Sequence, residues 1–320
     1  MFYQTSLKTI TVTAVLAALA VYAIAGGYFP REIVVEIAIL AILAISLDVV
    51  AGYGGMVSLC HGAIAGIGAY TFAGLTALAG FDGFTATVAA LAISALFGLV
   101  VGGVTANISG IFFIMATLAF GQMAYVVIFE WKALGGDDGL SGVSRYDLSA
   151  IGLNLNDSLQ FALFCLAVVV IVYAVAAAVL RSSFGRTLTG IHVNEDRMRA
   201  LGLSVWKHKA AAFAFSSFLA GAAGILAAQH TMFVSPELLV WTVSGEVLIV
   251  VILGGLGTLA GPIAGAALLV FLKHETGAWT EHWHLVIGLF LIAAVMAGGR
   301  GVYGQIEHSF QRRALRTANA

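Results

Sequence analysis

The stretch SGEVLIVVILGGLGTLAGPIAGAALLVFL (residues 244–272) is the most informative part of the sequence for the fold. It is apolar and longer than the roughly 20 residues that a helix needs to cross a bilayer, but GGLGTLAGP (254–262) interrupts it. Irregular backbone at membrane depth persists only where protein or a water-lined cavity satisfies its polar groups, and such breaks tend to line a substrate path. We therefore predict that Gly254, Gly255 and Gly257 lie on a path.

The whole chain has the composition of a membrane protein. Of its 320 residues, 61% are hydrophobic and only 10% are charged, whereas soluble proteins carry about 25% charged residues. Lipid must surround most of the chain, and one membrane domain is predicted over residues 1–320. Further apolar runs occupy residues 8–26, 33–51, 62–79, 85–105, 110–129, 159–180, 209–231 and 284–298. We predict an all-α polytopic membrane protein with about 8 to 10 transmembrane helices.

The first apolar run has two readings. Lys8, the apolar residues after it and Ala23-Ile24-Ala25 are similar to a signal peptide, but we expect an uncleaved first span. Cys60 and Cys165 both lie in apolar runs. They are expected to be small hydrophobic fillers that form no disulfide.

Lysine and arginine predict the orientation, because cytoplasmic loops carry an excess of them. Six of the 15 lie in segment 181–209 and four lie in segment 300–320. Both segments, and with them the C-terminus, are predicted to be cytoplasmic. Segment 130–158 carries Glu130, Asp137, Asp138, Asp147 and Asp157 against only Lys132 and Arg145, so it is predicted to face outward.

The number of membrane crossings then constrains the interrupted run. Because run 209–231 leaves the cytoplasm and the last run returns to it, residues 244–272 must begin and end outside. We predict two short segments folded at the glycines, either a re-entrant hairpin or a tight pair of spans. GYGGMVSLCHGAIAGIGAY (52–70) also has clustered glycines, a polar step and a small-residue helix. This pattern favours two repeat-like halves around a path, although glycine-rich membrane helices can also look alike by chance.

Four stretches in order carry a family resemblance: residues 52–70, GGDDGLSG (135–142), residues 185–224 and residues 244–266. Together they resemble the LivM-type permease subunit of branched-chain amino acid ABC importers. The resemblance implies a permease in the bacterial inner membrane with a second, homologous permease, two cytoplasmic ATPases and a periplasmic substrate-binding protein. No G-x-x-x-x-G-K-[ST] motif occurs, so no ATP hydrolysis by that route is predicted here. No cofactor or nucleic acid is expected for this chain, and partner subunits would use the ATP.

Within this family, segment 181–209 resembles the cytoplasmic loop whose short helix docks on the ATPase. The family pattern is close to A-I-R-E-N-E, then a small residue and L-G. Asn194-Glu195 and Ala200-Leu201-Gly202 match it, whereas His192 and Val193 depart from it.

The residues of this loop support docking independently. Asn194 is a plausible N-cap, Glu195 and Asp196 suit the first turn, and Gly202 suits the C-terminal stop. Met198 and Leu201 would share an apolar face that could enter a groove. An ordinary positive-inside loop would explain the arginines but not a capped helix. The predicted docking residues are Arg186, Asn194, Glu195, Asp196, Met198, Ala200, Leu201 and Gly202.

Two carboxylates are candidates for the path. A carboxylate near the bilayer centre is costly and usually faces a cavity or a partner, and Asp48 ends an apolar run. Asp48 is either a polar contact near the path or a hydrated interfacial residue. The resembled family usually has Asn at the matching position. Glu246 is either a first-turn acid behind a Ser244 cap or a path or gating residue.

Ser58, His61 and Tyr70 flank the first glycine break. The amides at the start of a half-helix could hold the α-carboxylate of an amino acid in transit. For His61 the alternative is a packing histidine with satisfied hydrogen bonds. Asp137 and Asp138 are either a solvated acidic turn or a contact for the arriving binding protein.

KHETGAWTEHWH (273–284) groups histidines, glutamates and two tryptophans. Metal binding needs three or four converging ligands, and an aromatic interfacial belt is the favoured interpretation.

Three classes of function compete. The first is an ABC-importer permease, for branched-chain amino acids or for urea, amides or aromatic acids. The second is an ion-coupled secondary transporter with Asp48 and Glu246 as ion sites. The third, an intramembrane enzyme, is disfavoured because no nucleophile–base arrangement accompanies these carboxylates.

Overall fold

The computed structural model describes residues 6–146 and 154–279, with isolated positions 285, 286, 288, 289 and 292. It confirms the all-α prediction. The helices are α1 (Ser6–Ala25), α2 (Tyr28–Asp48), α3 (His61–Ala73), α4 (Gly83–Thr105), α5 (Ile111–Glu130), α6 (Ser158–Arg181), α7 (Ser183–Val193), α8 (Glu195–Ala200), α9 (Val205–Thr231), α10 (Trp241–Gly254) and α11 (Gly261–Trp279). The predicted last run and the tail 300–320 lie outside the described residues, apart from the isolated positions.

Five helical stretches in the described part are long and apolar enough to cross a membrane. They are Tyr28–Tyr53, Gly83–Thr105, Ile111–Glu130, Ser158–Arg181 and Val205–Thr231. The first includes a π-helical extension of α2, Val49–Tyr53, and α3 has a similar extension, Gly74–Leu78. α9 begins at Val205, earlier than the predicted residue 209.

Helix α2 lies at the centre of the bundle. It packs against α6, α9, α10 and α11, while α3 and α4 pack on the other side of α9. Large apolar side chains on the outer faces of α4 and α5 remain exposed, including Phe84, Leu96, Phe112 and Met123. In a membrane protein these faces meet lipid or another apolar surface rather than water.

The bundle has two ends of different character. We call the end that carries residues 131–146 and 154–157 the acidic end, and the end that carries residues 182–204 the basic end. Two short strands at the acidic end, β1 (Leu140–Ser141) and β2 (Phe233–Val234), pair antiparallel. This ribbon, which the sequence analysis missed, ties the acidic segment to the end of α9.

The interrupted run forms two helices that fold back at the glycines, as predicted. Gly265 of α11 lies against the Val250 carbonyl of α10, and Gly254 lies against Gly261, so the two helices are antiparallel. Near their outer ends, the Lys273 Nζ lies 3.7 Å from Glu246. The hairpin therefore begins and ends at one end of the bundle, the acidic end.

Candidate functional site

Asp48, at the end of α2 just before the first glycine break, contacts the second glycine break. This side chain is completely buried. Its Oδ1 accepts a hydrogen bond from the Gly257 amide at 2.6 Å, and its Oδ2 accepts one from the Leu259 amide at 3.0 Å. The interpretation of Asp48 as a hydrated interfacial residue is therefore wrong. Its carboxylate compensates for its burial by satisfying the backbone of the second break.

Close approach of the two segments requires a glycine next to Asp48. A Cβ at Gly52 would overlap both the Asp48 carboxylate and the Gly257 backbone. The end of α2 and its extension, residues 48–53, which lead directly into the first break (residues 54–60), thus pack on the second break, residues 255–260, and we call this contact the junction. The predicted path residues Gly255 and Gly257 lie in this junction, and Gly254 borders it.

His61 belongs to a buried chain of hydrogen bonds. Its Nε2 lies 2.8 Å from the Ser216 hydroxyl, which itself donates to the Ser46 carbonyl at 2.6 Å. His61 must therefore donate through Nε2, and its Nδ1 accepts from the Ser58 hydroxyl at 3.2 Å. Both ring nitrogens are occupied within the chain, which matches the interpretation of His61 as a packing histidine.

The predicted Ser244 cap is wrong. Helix α10 begins at Trp241 with Val240 as its N-cap residue, so Ser244 lies inside the helix. Its buried hydroxyl accepts a hydrogen bond from the Gly62 amide at 2.8 Å. The Ser244 hydroxyl therefore bonds to another helix and does not cap its own. The Gly62 amide, in the first turn of α3, was predicted to be open to a carboxylate, but it is bonded to Ser244.

The other two predicted path residues lie apart from the junction. Tyr70 is buried and lines a cavity of ≈ 660 Å³ between α3, α4 and α5. Its hydroxyl has no hydrogen-bond partner in the part of the chain that the structure describes. Glu246 lines a different cavity, of ≈ 240 Å³, at the acidic end.

The predicted short helix of the basic end is confirmed with both of its caps. The Asn194 side chain accepts the Arg197 amide at 2.9 Å. Gly202, with φ +80°, ends the helix in a Schellman motif, in which the Leu203 amide bonds the Met198 carbonyl at 3.2 Å. Glu195 and Asp196 occupy the first turn. Ala200 lies exposed in the last turn.

Met198 and Leu201 do not share a free face, contrary to prediction. Met198 turns inward and packs on Gly190 of α7. The prediction failed because it did not include α7 as a helix. Leu201 is 70% exposed. Arg186, on α7, donates to the Arg181 carbonyl at 2.8 Å and so caps the end of α6.

Glu195 anchors α8 to the bundle. Its Oε2 lies 2.7 Å from the ammonium of Lys209 on α9, which also donates to the Ala106 carbonyl at 3.2 Å. Its Oε1 accepts from Arg199. Partial desolvation raises the pKa of Glu195, but the hydrogen bonds from Lys209 and Arg199 outweigh it and hold the pKa below its ordinary value. The anchor is therefore present at neutral pH and is lost as the pH falls through that lowered pKa.

Replacing Glu195 by glutamine should loosen α8 without unfolding the bundle. Glutamine can still accept hydrogen bonds, so the variant loses the charge of a partly exposed ion pair, which contributes up to about 1 kcal/mol. We expect the amides of residues 195–201 to exchange severalfold faster in hydrogen–deuterium exchange. Asp196→Asn is the matched control, since it removes a charge from the same turn but leaves the Lys209 contact. Equal exchange in both variants would contradict the anchor.

The segment 183–204 lies directly on the first glycine break. The Leu188 side chain approaches Gly54, and the His192 imidazole occupies the space where a Cβ of Gly55 would lie. Gly55 has φ +69°, a backbone conformation that favours glycine. Beside this contact is a cavity of ≈ 450 Å³, lined by residues of the break, of the α4–α5 loop and of α7 and α8. His192, whose role the family pattern left open, thus connects the basic end to the junction.

At the acidic end, Asp137 and Asp138 are exposed in a single 3-10 turn, Gly136–Asp138. Arg145, which the sequence analysis counted only as a charge, donates to the carbonyls of Gln229 and Leu155 at 3.1 and 2.9 Å. Its guanidinium also lies 4.1 Å from the centre of the Phe161 ring.

In the predicted histidine–tryptophan cluster, His274 contacts Glu36 at 2.9 Å. Within the described residues no three His, Cys, Asp or Glu side chains converge as metal ligands. Residues 280–284 of the cluster lie outside that part of the chain.

Comparison with known proteins matches this sequence to a transport family. Residues 29–295 match the family model described as branched-chain amino acid transport system / permease component. The chain belongs to this family. The resemblance found in the sequence is thereby confirmed, and the chain is a multi-pass membrane protein of the permease type.

Two curated relatives of this permease are 30% identical to it over most of its length. The high-affinity branched-chain amino acid transport system permease protein LivM of Escherichia coli K12 is 30% identical over 313 residues, which cover 90% of this chain and 74% of the relative. LivM of Salmonella typhimurium LT2 is 30% identical over 315 residues, with the same coverage. No solved structure matches this chain.

Proposed function

We propose that this permease is one membrane subunit of an ATP-driven importer in the bacterial inner membrane. Its cargo would be branched-chain amino acids or similar small polar solutes. The ATP would be bound by two cytoplasmic partner subunits at the basic end, and a second, homologous permease would complete the membrane part. A periplasmic binding protein would deliver cargo to the acidic end, where Asp137 and Asp138 are exposed.

The observation that carries the proposal is the packing of His192 on Gly55. A movement of segment 183–204 by an ATPase would press on the first glycine break. Met56 of that break donates to the Val50 carbonyl at 2.8 Å. Asp48, at the same end of α2, holds the Gly257 and Leu259 amides of the second break. The basic end and both breaks thus form one contiguous set of contacts that could pass between two arrangements, as alternating access requires.

Leu201 supplies the sharpest test of docking. It projects from the C-cap of α8 with 70% of its surface exposed, and burying a leucine stabilises a contact by about 1.5–3 kcal/mol. Leu201→Ser should reduce copurification of the ATPase subunits by roughly tenfold or more and should abolish ATP-driven uptake in vesicles.

Leu78→Ser is the matched control, because Leu78 is similarly exposed but lies near the acidic end. Membrane insertion should be unchanged in both variants. If the Leu201 variant keeps its ATPases, or if uptake proceeds in vesicles that lack ATPase subunits, the importer proposal fails.

An ion-coupled transporter is the alternative function. It would use Asp48 and Glu246 as ion sites. Both carboxylate oxygens of Asp48 already accept backbone amides, and Glu246 lies 3.7 Å from the Lys273 ammonium. This geometry favours the importer. Uptake that follows an imposed sodium or proton gradient in the absence of ATP would favour the alternative.

A further inference from the structure

A cavity of ≈ 240 Å³ opens among α2, α3, α9, α10 and α11 near the acidic end. Four of its lining side chains are ionisable: Glu36, His230, Glu246 and Lys273. The Lys273 ammonium lies 3.2 Å from Glu36 and 3.7 Å from Glu246. The cavity therefore presents charges of both signs within a few ångströms of one another.

The remaining walls of the cavity are apolar and tightly built. Ile39, Leu40 and Leu43 line it from α2, and Leu238 and Val243 line it from the other side. Gly66 and Gly224 also line it, and neither has space for a side chain, because a Cβ there would overlap Leu239 and the Ala65 backbone respectively. A ligand here would find ionic groups on one side and aliphatic surface on the other, as small-molecule sites commonly provide.

The side chains that form these ion pairs line the cavity and are accessible from it. At 3.7 Å the contact between Lys273 and Glu246 is longer than a charge-assisted hydrogen bond, which spans about 2.7–2.9 Å. The side chains of Lys273 and Glu246 are 32% and 38% exposed. The His230 Nδ1 is buried without a hydrogen-bond partner among the described residues. A ligand that carries both an ammonium and a carboxylate could contact groups of both signs here while adding no net charge to the cavity.

We propose that this cavity, which we call the zwitterion pocket, binds a free aliphatic α-amino acid within this one permease subunit. The ligand ammonium would lie against Glu246 and Glu36, its carboxylate against Lys273, and its side chain among Ile39, Leu40 and Val243. The inference rests on the proposed function, because a pocket at the acidic end is where cargo released outside would first enter. It adds a resting site that is separate from the glycine junction.

The test uses the assembled permease pair with its ATPases in phosphatidylcholine nanodiscs, without nucleotide and without binding protein. Radiolabelled leucine should bind saturably. Leucinol, which lacks the carboxylate, and 4-methylpentanoate, which lacks the amine, should each compete at least about tenfold more weakly, because each loses a charged hydrogen-bonding partner. Competition by leucinol equal to that of leucine would overturn the proposal, since a simple cation site would then suffice.

Variants connect the binding to the pocket. Glu246→Gln and Lys273→Met should each weaken leucine binding by about tenfold, whereas Glu237→Gln, an exposed carboxylate at the same end, should not. Ala227→Leu fills the cavity from α9 and leaves every charge in place, so it should also weaken binding. If Glu246→Gln and Ala227→Leu both bind leucine like the parent complex, the pocket is not the site.

Two further results separate the alternatives. Glycerophosphoethanolamine carries the phosphodiester and the ammonium of a phosphatidylethanolamine headgroup, and displacement of leucine by it as effectively as by unlabelled leucine would overturn the assignment to an amino acid. A complex that keeps its ATPases and its ATP-driven uptake but binds no leucine would refute the zwitterion pocket alone. Loss of the ATPases from the parent complex would instead refute the proposed function.

Discussion

Asp48→Ala should release the second glycine break and abolish transport. The substitution removes the acceptor of two buried amides, Gly257 and Leu259. Hydrogen bonds to a charged group contribute about 1.5–3 kcal/mol each, and the substitution would leave two buried amides without their acceptor. We expect a clearly lowered midpoint of thermal unfolding in nanodiscs and no ATP-driven uptake by the assembled complex.

Asp48→Asn separates the hydrogen bonds from the charge. The asparagine oxygen can still accept an amide, but its NH₂ group would face a second donor. Its unfolding midpoint should therefore fall between those of the parent and of Asp48→Ala. Asp138→Ala is the control, because Asp138 is an exposed acid at the acidic end. A parent-like midpoint for Asp48→Ala would mean that the junction is held by other contacts.

Gly224→Ala should force α9 away from α3. A Cβ at this position would overlap the Ala65 carbonyl group, which is backbone and cannot rotate aside. Overpacking in a tight interior costs about 1–3 kcal/mol, and small residues at such crossings are what allow membrane helices to approach closely. We expect a lowered unfolding midpoint and a low yield of folded protein.

Gly245→Ala is the matched control for that experiment. Gly245 also lies inside a helix, but a Cβ there would meet nothing within 4 Å. Because alanine is a better helix former than glycine by about 1 kcal/mol, the stability of the Gly245→Ala variant should be unchanged or slightly higher. If both alanine variants have the same unfolding midpoint, the crossing of α3 and α9 has room for a side chain at residue 224.

Much of the architecture could be predicted from the sequence, because spanning length and apolar composition are local properties of the chain. The fold-back of α10 on α11 followed from counting crossings on either side of residues 244–272. The helix 195–200 followed from its own caps, since Asn194 and Gly202 act on neighbouring backbone. In each case the prediction depends on a few neighbouring residues or on the number of membrane crossings.

The site was less predictable because its contacts join residues far apart in sequence. Nothing near Asp48 indicates that its partners are two amides of a later hairpin, and nothing near Ser244 indicates that Gly62 will take its hydroxyl. Helix α7 was missed because its buried residues, Leu188 and Ile191 among them, are few and are surrounded by polar ones. Arg145 was used only as a positive charge in predicting the orientation, whereas its guanidinium donates a hydrogen bond to the Gln229 carbonyl of α9.

The contact between Asp48 and Gly257 also has a consequence for biosynthesis. Its two partners are separated by 209 positions, so the amides that receive this carboxylate leave the ribosome only after most of the helices have been made. During that interval α2 carries an acid that is expensive to hold in lipid. Docking of the hairpin α10–α11 is thus a late event in assembly. A chain truncated before residue 257 would reach the membrane without the two amides that bond the Asp48 carboxylate.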